Sequence, residues 1–152
     1  MARLQHEIFV DVPPERVFAL LAQPERTPEW SPQVVSIRRT SEGPVGVGST
    51  TEAVVKALGT RQRATGRCTV FDPPHRMVIE SQTDLGATSR SDTELRPEDD
   101  GTRVRATLEY TVPGGGIGKL FDRLVAERQT RREFEQALAN LKRMLETTDD
   151  GR

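Results

Sequence analysis

Two side chains at predicted inner positions of this 152-residue chain could take part in acid–base catalysis, namely His6 and Tyr110. An imidazole with a pKa near about 6.5 could exchange a proton with a bound carbonyl compound. Tyr110 is the only tyrosine, and its hydroxyl could orient a ligand oxygen. Both also suit a structural role as hydrogen-bonded interior side chains, which we prefer for His6 because the strand pattern shows no acidic partner. The catalytic residues stay unassigned, with these two as candidates.

Three hydroxyls, on Ser89, Ser91 and Thr93, alternate along one strand-like segment. Alternate residues of a strand share a face and lie roughly 6.6 Å apart, so these hydroxyls could line a polar stripe for an amphipathic ligand. The alternative is an edge strand of opposite register. No Gly-x-Ser-x-Gly turn or paired base accompanies them, which excludes serine-hydrolase chemistry.

Arg128 and Arg131 lie near the apolar stripe of a long C-terminal helical segment, about one turn from Leu124 and Phe134 respectively. A guanidinium at a cavity mouth could hold a ligand carboxylate or enolate with two hydrogen bonds. Alternatively, both arginines extend into water or pair with neighbouring glutamates, and we prefer this interpretation. The sequence leaves their orientation open.

The sequence gives little support for a metal site or a nucleotide site. The single cysteine, Cys68, excludes an intramolecular disulfide and any multi-cysteine metal site, and the two histidines, His6 and His75, are far apart. The glycines at 114–116 and 118 precede a helix but lack Walker-type spacing, so we interpret them as a hinge. We predict no metal and no cofactor.

The charge balance argues against several partners. The chain has 22 Lys and Arg against 23 Asp and Glu, so no net field attracts nucleic acid or anionic lipid. No segment has the length of a membrane span or the pattern of a signal peptide. We expect a cytoplasmic protein that neither inserts into membranes nor binds nucleic acid.

The elements that must position these residues follow from periodicity. Alternation from Leu4 to Val12 predicts a strand, Pro13 and Pro14 begin a short helix to Ala22, and a second helical turn is expected at 25–30. Six more strands are predicted at 34–39, 49–58, 61–71, 76–83, 88–96 and 102–112. A helix follows from about Ile117 to Thr147. We therefore predict one α+β domain, residues 1–147, in which a curved seven-stranded antiparallel sheet wraps the long helix, with a disordered tail at 148–152.

Alternation places Val70 among the inner positions of the sheet, and many of these positions carry Ala, Gly, Ser or Thr, which would leave space between sheet and helix. That space is a candidate cavity for an apolar or amphipathic molecule. The candidate ligand-binding residues are Trp30, Cys68, Met77, Ile79, Ser89, Ser91, Thr93, Leu108, Tyr110, Leu124 and Arg128.

The segment IFVDVPPERVFALL, followed by PERTPEWSP, resembles the superfamily of START domains, birch-pollen-allergen proteins and polyketide cyclases, named SRPBCC. It is most similar to the bacterial polyketide cyclase/dehydrase-like members. Three further segments add to the resemblance, namely TVFDPPHRMVIES, DDGTRVRATLEY and EQALANLKRMLE.

The resemblance implies a helix-grip fold with a hydrophobic tunnel for lipids, polyketides or similar molecules, and it places the region of Trp30 at the tunnel mouth. In aromatase/cyclase members it also implies an interior arginine on a strand. Arg63 and Arg67 are the nearest candidates here, but their parity points them outward. That departure weakens the assignment as a cyclase.

Three functions therefore stay open. The first is binding of a small apolar or amphipathic molecule, as a carrier or by sequestration. The second is a polyketide cyclase, aromatase or dehydrase without metal or nucleotide cofactor, in which His6 and Tyr110 polarise a carbonyl. The third is a protein-interaction module without a small ligand. A homodimer is compatible with the chain, although no coiled-coil heptads support one.

Overall fold

The computed structural model describes residues 2–57, 60–111 and 120–148, without the side chains of 120–124 and 148. β1 (Ala2–Val10) leads into α1 (Pro14–Leu21) and a short 3-10 helix (Pro24–Glu29). Six strands follow, and α2 (Leu120–Thr148) ends the described chain. The strands are β2 (Val34–Arg39), β3 (Thr50–Ala57), β4 (Thr60–Asp72), β5 (Arg76–Thr83), β6 (Thr88–Glu98) and β7 (Gly101–Thr111).

The described strands form one seven-stranded antiparallel sheet in the order β1-β7-β6-β5-β4-β3-β2. This architecture, with its C-terminal helix, confirms the predicted fold class. β6 lies between β5 and β7, so the alternative of an edge strand is wrong for the three hydroxyls. The predicted bounds of β2 and β5 are the observed ones. The predicted start of α2, the glycine run at 114–118 and most of the predicted tail lie outside the described residues.

Prolines shape the segment between β1 and β2. Pro14 occupies the first turn of α1, where a backbone amide proton would have no hydrogen-bond partner within the helix. The helix buries Val17, Phe18 and Leu20. Pro28 lies inside the short 3-10 helix, which ends at Trp30. This helix packs beside the edge strand β2, so the segment covers that edge of the sheet.

A register shift in β4 corrects one predicted side-chain direction. Cys68 pairs with Ile79, but Val70 pairs with Val78 and Phe71 with Met77, so one extra residue lies between the two pairings. Because such a bulge reverses the alternation beyond it, the prediction that Val70 faces inward is wrong. Phe71 takes the inner position, and its ring meets that of Phe18 edge-on at 5.2 Å.

The hydrophobic core lies toward one end of the sheet, where β1, β6 and β7 meet α1 and the C-terminal half of α2. Its buried members include Val10, Val17, Phe18, Leu95, Val104, Leu138, Leu141 and Leu145. Polar contacts fasten this end. Lys142 Nζ donates to the Phe9 carbonyl oxygen at 2.6 Å, and the Asp11 amide donates to Glu146 Oε2 at 2.9 Å. We call this region the closed end.

Charged residues of alternating sign cover the outer face of the sheet. One row across five strands consists of Arg67, Glu80, Arg90, Glu109 and Arg3. In this row Arg90 lies within 3.9 Å of carboxylates on both neighbouring strands, Glu80 and Glu109. Opposite charges on adjacent strands leave little net field on this face. Within the described residues, no helix has the length and apolar character needed to cross a bilayer.

Candidate functional site

Beyond the core, the inner face of the sheet changes character. A row of paired residues crosses six strands there, and all of its members are half-buried. Apart from its two end residues it carries only hydroxyls and a glycine, so little side-chain volume fills the space toward α2. We call it the polar row, and it consists of Arg39, Thr51, Gly66, Ser81, Ser89 and Tyr110.

Gly66 shows how closely the hydroxyls of the polar row approach one another. A Cβ atom at this position would lie 2.8 Å from Thr51 Oγ1 and 3.4 Å from Ser81 Oγ. The same Cβ would lie 3.7 Å from Cγ2 of Ile79, which packs against the core, so this side of Gly66 is the inner face. Glycine at this position therefore lets the side chains of the two neighbouring strands approach each other closely.

Tyr110 ends the polar row with a buried hydroxyl that makes no hydrogen bond of good geometry within the described residues. Burial raises its pKa above 10.0, and the charge of Glu127 on α2 adds to this, whereas the charge of Arg131 and a contact with the Thr130 side chain that falls short of good hydrogen-bond geometry lower it in part. The phenol is therefore neutral at pH 7 and available as a donor. A buried donor without a partner carries a desolvation cost that a ligand oxygen would remove.

His6 lies on the inner face opposite Ala106, and α2 brings it an acidic neighbour. The distance from His6 Nδ1 to Glu135 Oε2 is 4.0 Å, and both side chains are partly exposed. The described strands themselves bring no acidic residue to the inner face beside His6, as predicted, and the structural role preferred for His6 stays a prediction. Pairing of residues so far apart in sequence has no local signal, which is why Glu135 was missed.

The remaining inner-face candidates fall into two groups. Cys68 and Met77 are buried members of the core, and Ile79 packs against it. Burial raises the pKa of the Cys68 thiol, which donates to the Val70 carbonyl oxygen at 3.3 Å, so this sulfur is an unreactive packing group. Ser91 and Leu108 are half-buried in the row next to the polar row, whereas Thr93, also half-buried, pairs with the core members Met77 and Ala106.

Trp30 joins the short 3-10 helix to the core. Its side chain packs against the buried cluster, and its carbonyl oxygen accepts a hydrogen bond from Asn140 Nδ2 of α2 at 3.1 Å. The indole Nε1 is buried and has no hydrogen-bond partner within the described residues. Trp30 therefore packs as an anchor and also holds a second unused donor.

The arginines predicted on α2 lie at its surface. Arg128 and Arg131 are both exposed, and Arg131 is near enough to influence Tyr110. The side chain of Leu124 lies outside the described residues. Arg63 and Arg67 are exposed and occupy outward register positions, as their parity predicted.

Sequence inspection missed Arg39, which the register places on the inner face at the β2 end of the polar row. Its Nε is buried and unpartnered within the described residues, while Nη2 donates to the Gly43 carbonyl oxygen. The available signal was alternation, since Ile37 and Arg39 face inward and Arg38 outward. Two adjacent arginines and a register shift near Ser36 hid it.

Two depressions of about 640 and 650 Å³ also lie on the sheet. Each depression is lined by two rows of residues that face outward and one row that faces inward. No described residue of α2 lines either depression. This pattern is that of grooves between side-chain rows on the outer face. Their volumes therefore do not measure the space between the polar row and α2.

No cluster of three or more His, Cys, Asp or Glu side chains suited to a metal ion occurs in the described part of the chain. The donors that the inner face does offer are hydroxyl, indole, imidazole and guanidinium groups. Such groups recognise oxygen atoms of an organic ligand by hydrogen bonding.

Comparison with known proteins adds independent findings. A family model described as polyketide cyclase/dehydrase and lipid transport matches residues 1–146. The structure of TTHA0849 from Thermus thermophilus is similar at a TM-score of 0.80 and 23% identity, covering 98% of this chain and 100% of that one. The Zhui aromatase/cyclase from Streptomyces follows the same fold at a TM-score of 0.78 and 16% identity, over 95% and 93% of the two chains.

A START superfamily protein from Mycobacterium smegmatis is also similar, with a TM-score of 0.68, 14% identity and coverage of 96% of this chain and 95% of that one. Among curated protein sequences, none matches significantly. At these identities the solved structures establish the fold that the chain shares, and any activity must be argued from its own residues.

Proposed function

The chain belongs to the polyketide cyclase/dehydrase and lipid transport family, and from this premise we propose that it binds a small amphipathic molecule between the polar row and α2. The apolar part of the ligand would contact Ile79 and Leu108, and its oxygen atoms would face the hydroxyls. We expect a carrier or sequestering role in the cytoplasm.

One observation carries this proposal. The inner face passes from a closely packed core to a row of small polar side chains whose terminal Tyr110 hydroxyl is buried without a hydrogen bond of good geometry in the described residues. A protein interior that needed only stability would fill such space and pair such a group. A ligand with an apolar body and a hydrogen-bond acceptor fits both features.

Fluorescence titration with the methyl ester of cis-parinaric acid tests the proposal, because this uncharged polyene brightens in an apolar site. We expect saturable one-to-one binding by the unaltered protein. Ser89→Trp should abolish it, since an indole would occupy the space above the polar row. Gln82→Trp is the matched control, because Gln82 is exposed on the outer face of the neighbouring strand and should leave binding unchanged.

Native mass spectrometry of protein purified gently from its own cells complements the titration. A stoichiometric apolar molecule, identified after organic extraction, would support the proposal and name the ligand class. Absence of probe binding, together with a copurifying protein at the same face, would instead favour an interaction module.

A second candidate function is a cyclase or dehydrase, and the pair of His6 and Glu135 favours it. The carboxylate lies 4.0 Å from the imidazole nitrogen, so a movement of the Glu135 side chain by about 1 Å would form the hydrogen bond that orients the ring for proton transfer. His6 and Tyr110 occupy rows roughly 13 Å apart along the strands, so they would act on different atoms of one extended ligand. Turnover of a poly-β-keto thioester that survives both His6→Ala and Tyr110→Phe would exclude this mechanism.

A further inference from the structure

Arg39 differs from every other basic residue on the described strands. The other arginines and lysines of the strands occupy outward register positions. Most of them are exposed to water, and the half-buried ones each lie within 3.6 Å of a carboxylate. These paired residues are Arg76, Arg90, Arg103 and Arg105. Arg39 is half-buried, faces inward and has no carboxylate partner in the described part of the chain.

The sheet offers Arg39 no compensating charge. Each Asp and Glu of the described strands lies at an outward position, so the inner face holds a guanidinium without a strand carboxylate. One of its nitrogens is occupied by the Gly43 carbonyl, and Nε is buried and free. A half-buried charge without a counter-charge costs free energy, and a ligand that carries the opposite charge would recover this cost.

The neighbours of Arg39 complete a site for an anion. Thr51 lies directly opposite it across the β2–β3 pairing, and its Oγ1 lies over Gly66 on the next strand. Ser81 Oγ approaches Gly66 from β5, three strands from Arg39 and so roughly 14 Å away between Cα atoms. A guanidinium with the Thr51 hydroxyl on the neighbouring strand presents donors to two oxygen atoms of one headgroup.

We propose that Arg39, with Thr51 on the neighbouring strand, binds the carboxylate of an amphipathic acid whose apolar body extends along the polar row past Ser81 toward Leu108. This inference rests on the proposed binding function and specifies the class of its ligand. A single guanidinium neutralises one negative charge, so a carboxylate matches the site better than a phosphate dianion. The Tyr110 hydroxyl at the far end of the row would serve a second oxygen of the same molecule.

Comparison of cis-parinaric acid with its methyl ester tests the headgroup directly. The two probes share the apolar chain and differ in charge. The unaltered protein should bind the acid about 10- to 100-fold more tightly than the ester, the range expected for a hydrogen bond to a charged group in a half-buried site. This preference is measured without any variant.

Arg39→Gln keeps most of the side-chain length and removes the charge. It should weaken acid binding by about 10- to 100-fold and leave ester binding within about threefold of its original value. Arg39→Lys keeps the charge but loses the planar fork, so it should recover part of the affinity for the acid. Arg38→Gln is the matched control, because Arg38 is exposed on the outer face, where it pairs with Glu52.

The outcomes separate this inference from the function on which it rests. Tight ester binding with no preference for the acid, or equal weakening of both probes in Arg39→Gln, would overturn the carboxylate site and leave the binding function intact. Tighter binding of dodecyl phosphate than of dodecanoate would likewise overturn it. Failure of the unaltered protein to bind either probe would overturn both proposals. Circular dichroism and the melting temperature verify that each variant is folded.

Discussion

The two ends of the inner face of this sheet differ in whether their buried hydroxyl groups are hydrogen-bonded. At the closed end the buried Thr102 hydroxyl donates to the Val12 carbonyl oxygen at 2.8 Å, among aliphatic side chains that exclude water. At the other end the buried Tyr110 hydroxyl has no such partner in the described residues. The same sheet and the same helix line both ends. Two of the unpaired groups, on Arg39 and Tyr110, therefore belong to one row of the sheet, whereas Trp30 Nε1 is unpaired beside the core.

The physical cause lies in side-chain volume and helix composition. Leu138, Leu141 and Leu145 cover the closed end, whereas the earlier turns of α2 bring Glu127 and Thr130 toward the polar row. Large aliphatic side chains facing one another close a core, but small hydroxyl residues facing polar helix residues do not. Stability therefore resides mainly in one end and, as we propose, binding in the other.

The largest expected effect is at the closed end. Leu141→Ala removes a side chain with 0% exposure and should lower the free energy of unfolding by about 2–5 kcal/mol. Urea denaturation followed by circular dichroism measures it. Leu85→Ala is the control, since Leu85 is 61% exposed and should cost little. A loss at Leu141 no larger than at Leu85 would contradict the division into two ends.

Crowding the polar row should cost both stability and binding. A Cβ at residue 66 would lie 2.8 Å from Thr51 Oγ1, so Gly66→Val forces the Thr51 side chain toward the space of the ligand. The variant should destabilise the fold by about 1–3 kcal/mol and weaken ligand binding. Titration with the cis-parinaric methyl ester measures this loss. The exposed neighbour Thr65, altered to valine, provides the matched control on the outer face.

The two hydroxyls allow a direct comparison. Thr102→Val leaves the Val12 carbonyl without its donor and should destabilise the fold by about 1–2 kcal/mol. Tyr110→Phe removes a donor that has no partner, so the unliganded protein should keep its stability or gain up to about 1 kcal/mol. Thermal unfolding of both variants measures the contrast. A loss at Tyr110 equal to that at Thr102 would mean that the Tyr110 hydroxyl is fully paired in the folded protein.

The smallest expected effect concerns pH. Burial raises the pKa of Glu146, but hydrogen bonds from Lys142 and from the Asp11 amide outweigh it, so the pKa is lowered from 4.5. A lowered pKa stabilises the fold above the ordinary value, and this contribution is lost as the pH falls through the folded-state pKa. Glu146→Gln should therefore reduce stability at pH 6 by less than about 1 kcal/mol and flatten its decline below pH 4.5. Chemical denaturation across this pH range provides the measurement, and identical pH profiles would contradict it.

Periodicity alone located much of the inner face. Alternation in β1 and β7 put His6 and Tyr110 on the side that faces α2, and the register agrees. The same rule failed at Val70, because a bulge adds a residue that the pattern does not show. The rule did not identify Arg39 either, because two adjacent arginines and the register shift near Ser36 obscure the alternation in this short strand.

Partners were harder to predict than positions. Nothing near His6 in sequence indicates Glu135, because the contact forms only when α2 packs across β1. The free Nε of Arg39 likewise depends on the register of β2 against β3, together with the absence of an inward carboxylate on the described strands. Long-range pairing decides such contacts, and local propensity carries no information about them.

The sequence by itself determined the elements, the family and the general chemistry of the inner face, because alternation, prolines and glycines act on the backbone locally. Only the tertiary structure decided which of these polar groups have partners and which are left free. A hydrogen bond or ion pair requires two groups at the correct distance, and in this fold those groups come from strands and a helix far apart in the chain.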